Sequence, residues 1–248
     1  MPPRTDAARV DDASGFVLHS RPFRETSLIV ETWTEAYGRV ALVARGARRP
    51  RSALRGLLQP FTPLLLSWSG RQELRTLHAA QWQGGLPLPQ GMALLCGFYV
   101  NELLLKLLAR EDPHPGLFQP YQDTLRELCA SDDAARQGIA LRRFELRLLA
   151  QLGYAQPFGQ EAESGEPIHA ELGYHYRCES GAVLAGERPA PPDAIALRGK
   201  TLIDLANDDY SDPLSVAQGK HLMRHIIQHY LDGQTLHARE LLKDLQRL

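Results

Sequence analysis

Between residues 15 and 82, runs of apolar and β-branched side chains four to eight residues long alternate with turn residues. Residues 16–19, 27–34, 39–45, 63–68 and 74–80 are such runs, rich in Val, Leu, Ile, Thr or Trp, and each reads as a short strand. In the third run Val40 and Leu42 alternate with Arg39, Ala41 and Val43, the period of a strand with one buried face. Glu35-Ala36-Tyr37-Gly38 and Ser69-Gly70-Arg71-Gln72 supply hairpin connections. Five short strands in about seventy residues predict a small closed barrel. The oligonucleotide-binding (OB) barrel is the commonest five-stranded solution, and an SH3-like barrel fits the count nearly as well.

After Gly84, Gly85, Pro87 and Pro89 the period changes to that of helices. Leu94, Leu95, Phe98, Leu103 and Leu107 recur at helical spacing, and Glu102 with Lys106 makes a favourable pair four apart on the polar side. Residues 118–129 and 138–152 continue in this style, the latter with a stripe of Leu141, Phe144, Leu148 and Leu152 that Gly153 ends. Residues 155–198 show no periodicity and predict an irregular insert. Helical signal returns at 214–230 and 237–245. The pattern therefore predicts an α+β (mixed) chain: a five-stranded barrel, OB-fold or SH3-like, at residues 1–83, then an α-helical domain at 84–248 with an irregular element inserted at about 154–198.

Charge changes this picture. The whole chain of 248 residues carries a formal net charge of −1. Residues 1–80, however, hold twelve arginines and no lysine against seven acids, a balance of +5 that leaves the remainder at −6. Half of those arginines, Arg39, Arg45, Arg48, Arg49, Arg51 and Arg55, fall in the stretch RVALVARGARRPRSALR without one acid among them. Permanently charged guanidiniums so close together repel unless an outside anion sits between them, and a phosphate backbone is such an anion. A solvated basic loop is the blander alternative. Three distant cysteines, Cys96, Cys129 and Cys178, argue against a disulfide framework, and the start lacks the apolar core of a secretory leader. A cytoplasmic protein is expected.

Enzyme signatures are scarce, with no glycine-rich phosphate loop, nucleophile elbow or HExxH. His221, His225 and His229 recur every four residues and could offer a metal adjacent ligands, or simply form a weakly basic face. With Asp208, Asp209 or Asp212 they would suit a metal-dependent nuclease or phosphoesterase. A purely RNA-binding OB-fold protein is a second rival. His169, His175 and Cys178 lie in the insert, where either a zinc staple or an unmetallated loop packed by Tyr174, Tyr176 and Leu184 is conceivable. Arg142, Arg143 and Arg147 border the apolar stripe of their helix. They either snorkel over the core edge or frame a pocket for a partner peptide carrying acidic and aromatic groups.

The blocks FVLHSRPFRETSLIVETWTEAYGRVALVARGARRPRS, LQPFTPLLL, YVNELLLKLL and ALRRFELRLLAQLGY, in this order over most of the chain, resemble the RecO family of DNA repair and recombination proteins. The resemblance implies an N-terminal OB barrel, a helical domain and a zinc-finger-like insert. Only Cys178 remains of the CxxC pairs some members carry there, so a metal-free version without cofactor is expected. It also implies a non-enzymatic recombination mediator of the nucleoid. Such a protein binds single- and double-stranded DNA, anneals complementary strands and, with RecR and RecF, loads RecA onto strands coated by the single-stranded DNA-binding protein SSB. Carried over to this chain, Arg21, Arg24, Arg39, Arg45, Arg48, Arg49, Arg51 and Arg55 become the phosphate contacts. Arg142 and Arg143 become candidates for the carboxylates of the SSB C-terminal tail, with Leu104, Phe118 and Tyr121 as its apolar seat. Phe23, Trp33 and Tyr37 are either stacking platforms for bases or barrel core.

Overall fold

A computed structural model describes residues 9–154, 157–186, 191–238 and 240–241. Five strands, β1 (Arg9–Phe23), β2 (Ser27–Thr34), β3 (Gly38–Ala44), β4 (Pro63–Ser69) and β5 (Leu74–Trp82), close a barrel in the order β1-β2-β3-β5-β4. All pairings are antiparallel except the closing one, where Ala41–Val43 of β3 run parallel to Leu74–Thr76 of β5. This is the order of an OB barrel, which settles the choice between the two five-stranded candidates. Strand β1 starts seven residues earlier than its apolar run, at Arg9 instead of Phe16. Its polar first half pairs with β4 and its apolar second half with β2, so one long strand serves two neighbours.

The barrel interior holds Val17, Val30, Val40, Leu42, Leu64, Leu66 and Trp68. Burial does not simply alternate, because part of the outside is also apolar: Phe16, Leu18, Ile29 and Trp33 are at most 5% exposed yet lie outside that cluster. Helices α1 (Gly91–Leu107) and α2 (Pro115–Ala130) belong to the same compact unit and cover this outer face. The Phe16 ring lies 4.9 Å from Tyr121 and the Trp33 ring 5.4 Å from Phe118. A bulge between Val17 and His19 leaves Leu18 out of the β1–β2 ladder. Its carbonyl accepts instead from Asn101 Nδ2 at 3.0 Å, and Asn101 Oδ1 accepts from the Tyr121 hydroxyl at 2.7 Å. A buried polar chain thus joins strand, α1 and α2 where the ladder is interrupted.

The connection between α1 and α2 folds back on the barrel. Arg110 pairs with Glu31 and Glu73, and Arg75 with Glu111. Gly38 adopts φ +64° with the Asp112 backbone against it, and a Cβ there would stand 2.4 Å from the Asp112 carbonyl oxygen. The chain returns to this unit at its end, where Glu102 accepts from the backbone N–H groups of His237 and Ala238 at 3.0 and 2.9 Å. The last predicted helix is seen at 237–238 and 240–241, and its remainder lies outside the described residues. One compact unit therefore runs to Gln137 and resumes at Leu236, and the other is Gly138–Thr235. Because α1 and α2 cover the outer apolar face of β1 and β2, compactness divides the chain after them and not at the barrel's end.

Helix α3 (Ala134–Gln151) spans the join. The second unit continues with β6 (Gly173–Arg177), β7 (Gly181–Leu184), β8 (Ile195–Arg198), α4 (Gly199–Ala206) and α5 (Pro213–Tyr230). The insert is more regular than its sequence suggests, with a three-stranded sheet in the order β7-β6-β8. Within β6 the buried Tyr174 and Tyr176 alternate with half-buried His175 and Arg177. Glu161 organises the turn preceding the sheet, its Oε2 accepting from the Ser164 N–H and hydroxyl, both at 2.5 Å, and from Glu163 N at 3.2 Å. These bonds, the Ser164 hydroxyl first, hold the Glu161 carboxyl below its ordinary range despite burial.

Candidate nucleic-acid interface

The arginine-rich loop is a plug with a charged outer surface. It leaves β3 at Ala44 and descends in successive tight turns, Arg49 N to Gly46 O, Ser52 N to Arg49 O, and Arg55 N to Ser52 O. Ala47 and Leu58, 2% and 5% exposed, join the barrel interior, with Leu54 packed beside them. Apolar side chains recurring at irregular intervals thus anchor one side of the loop. Arg45, Arg48, Arg49, Arg51 and Arg55 are all exposed.

The β1–β2 turn adds to this surface. Phe23 pairs with Ser27 and Leu28 with Ala44, so the hairpin turn and the end of β3 are neighbours. Arg48 links the two directly, its backbone N–H donating to Thr26 O at 2.9 Å and its guanidinium to Glu25 O at 3.2 Å. Arg24 adopts φ +52° and lies over the Phe23 ring at 5.1 Å, and Arg21, two residues before Phe23 on β1, is exposed. Among the described residues no carboxylate pairs with Arg21, Arg24, Arg45, Arg48, Arg49, Arg51 or Arg55. Seven guanidiniums, five on the plug, Arg24 in the turn and Arg21 near the end of β1, make up positive surface whose complement is a polyanion.

Arg39 stands apart, which corrects its assignment to the phosphate contacts. Its side chain is 11% exposed and lies near Glu31, 3.7 Å away, while Nη1 donates to the Leu108 carbonyl at 2.7 Å. Burial lowers its pKa from the ordinary value, with the Glu31 charge opposing. It fastens the α1–α2 connection to β3. The aromatic candidates separate likewise: Trp33 is fully buried, Phe23 carries Arg24, and Tyr37 is 41% exposed with its edge against Trp68. The sequence reading missed Trp82, 66% exposed at the end of β5. Its setting between Gln81, Gln83 and two glycines was the available signal.

In the second unit, Arg142 donates to Glu145 Oε1 at 2.6 Å, and Arg143 Nε bonds both oxygens of Asp208 at 3.0 and 2.9 Å. The Arg143 guanidinium lies 5.6 Å from the Tyr210 ring centre, a neighbour that sequence spacing did not disclose. Burial, then the Asp208 charge, pushes the Tyr210 phenol up to about 12. Leu104, Phe118 and Tyr121 belong to the first unit, 0%, 6% and 0% exposed. They are core side chains there, with Phe118 and Tyr121 on Phe16 and Trp33.

The carboxylates of the nuclease alternative have other tasks. Asp212 caps α5 by accepting from Leu214 N at 3.0 Å and pairs with Arg198, Asp208 holds Arg143, and Asp209 accepts from Ser211 N at 2.9 Å. His221 lies nine positions beyond the N-cap Asp212, about 14 Å along α5. Among the described residues no group of three or more His, Cys, Asp or Glu side chains is arranged to hold a metal. Cys178 of the insert is buried, which raises its thiol pKa. No described helix is long and apolar enough to cross a membrane.

Comparison with known proteins places both parts of the chain in one family. Residues 11–85 match the family model "Recombination protein O N terminal" and residues 89–240 "Recombination protein O C terminal". The chain is 51% identical over 247 residues to the DNA repair protein RecO of Thiobacillus denitrificans, covering 97% of this chain and 94% of that protein. Its identity to the DNA repair protein RecO of Nitrosospira multiformis is also 51%, over 98% of this chain and 99% of the relative. The RecO of an Azoarcus species follows at 50%, over 97% and 98%. With both halves matched and near half of all positions shared along the full length, the chain belongs to the recombination protein O family of DNA repair proteins.

Proposed function

We propose that this protein is a recombination mediator that binds single- and double-stranded DNA through the plug and the β1–β2 turn and anneals complementary strands. With RecR and RecF it loads RecA onto SSB-coated strands, working in the cytoplasm at the nucleoid. The observation that carries this reading is the surface of unpaired arginines at Arg21, Arg24, Arg45, Arg48, Arg49, Arg51 and Arg55. Each phosphate it neutralises releases condensed counterions, an affinity that ignores sequence, as a protein acting at any lesion requires. Annealing needs no fuel: duplex formation is downhill, and the protein holds two strands close and screens their repulsion. Arg142 and Arg143 receive the acidic SSB tail, which brings the protein to coated DNA. Arg143, beside the Tyr210 ring, has the fork that pairs with a carboxylate, as its hold on Asp208 illustrates.

Charge reversal tests the central claim. In R48E/R49E, affinity for oligonucleotides of unrelated sequence falls about tenfold or more, and the log–log salt slope on single strands flattens by about 1.4. Fluorescence anisotropy across a salt series measures both, and an unchanged slope would remove these arginines from the interface.

A further inference from the structure

Helix α5 carries Lys220, His221, Arg224, His225 and His229 and, from Pro213 to Tyr230, no acidic residue. That is unusual in its surroundings, because residues 138–235 contain thirteen acids against nine lysines and arginines. Five other cations of this unit are neutralised, Arg142 by Glu145, Arg143 by Asp208, Arg177 by Asp193, Arg198 by Asp212 and Lys200 by Asp204, while Arg147 of α3 is exposed. Lys220 and Arg224 are exposed, and among the described residues neither has a carboxylate partner. Among the described residues, Glu179 lies 3.9 Å from His229, and His225 acts on Asp193, along the histidine row next to these positions. The buried positions Leu222, Met223, Ile226 and Ile227 fix the helix's rotation. Lys220, Arg224 and Gln228 therefore follow one another every four residues, about 6 Å apart, along the solvent side, with His221 beside them.

We infer that this face of α5 is a second binding surface for the phosphate backbone of single-stranded nucleic acid. The inference rests on the annealing function proposed above and gives the second strand a place to be held. The plug belongs to one compact unit and α5 to the other, so a protein with both surfaces engages two strands without making them compete for the same arginines. A row of spaced donors free of acids suits a backbone of repeating charge, whereas the Arg143 fork suits a lone carboxylate.

The test uses the full chain and the variants K220E/R224E and K220Q/R224Q, whose exposed positions leave folding intact, as thermal melting will verify. Two non-complementary oligonucleotides with different dyes report simultaneous capture by energy transfer, and a complementary pair reports annealing. Binding of one strand is expected to stay within about twofold of wild type. Capture of the second strand and the annealing rate are expected to fall about tenfold in the reversal variant and less in the neutral one. Wild-type capture and annealing rates in both variants would overturn the inference while leaving the proposed function standing. Loss of acidic-peptide binding with unaltered DNA capture would also overturn it, assigning the face to a protein partner. Failure of the wild-type protein to bind even one strand would instead sink the proposed function itself.

Discussion

Arg142 and Arg143 are adjacent on α3, yet they call for different experiments. Arg142 pairs with Glu145, whose side chain has no exposed surface, whereas Arg143 pairs with Asp208, whose side chain is 56% exposed. Removing the partner of a buried carboxylate is costly, so R142A is expected to lose about 3 kcal/mol of stability in denaturant titration. R143A leaves only an exposed carboxylate behind, and its stability should change by less than about 1 kcal/mol. The cleaner probe of SSB-tail capture is therefore R143A, expected to weaken tail-peptide binding at least tenfold while naked-DNA affinity is preserved. Unaltered peptide affinity in calorimetry would refute the role. The sequence marked both arginines, but their carboxylates lie three and sixty-five residues away, and only the first spacing was open to helical arithmetic.

Among the elements, the plug and the insert teach opposite lessons. The strands β2 to β5 were legible because a barrel imposes period two on runs bounded by turn residues. The plug's basic face was legible too, since six arginines without an acid need no fold to be noticed. Its apolar side was not, because Ala47, Leu54 and Leu58 follow no helix or strand period. In the insert, strands of five, four and four residues are too short to display a period, and α4 is only eight residues long. The turn at Glu161 offers a direct check. A carboxyl whose folded pKa is depressed contributes stability above its unfolded value and loses it as pH falls through the folded one. E161Q is thus expected to be less stable than wild type at pH 7, by about 1 kcal/mol, with the gap closing below about pH 4. A gap independent of pH would mean that packing alone accounts for it.

For the whole molecule, the division at Gln137/Gly138 predicts how the chain can be cut. The barrel alone, ending near residue 85, would expose Phe16, Leu18 and Trp33, and is expected to aggregate and bind a hydrophobic dye. Gel filtration of that fragment beside the full chain measures this, and a monodisperse, dye-silent barrel would contradict the covering role of α1 and α2. The five barrel strands and the longer helices were readable from the sequence, whereas the strand order came with the structure. That cover was not, because a strand with two buried faces differs little from any other apolar run. The plug has a last consequence, in heat. Its backbone is pinned by its own turns and by Ala47 and Leu58 before any DNA arrives, so binding folds nothing and buries little apolar surface. The heat-capacity change on binding a short oligonucleotide should be close to zero and the enthalpy nearly constant with temperature, the signature of a rigid electrostatic comb and not of a loop that folds around its ligand.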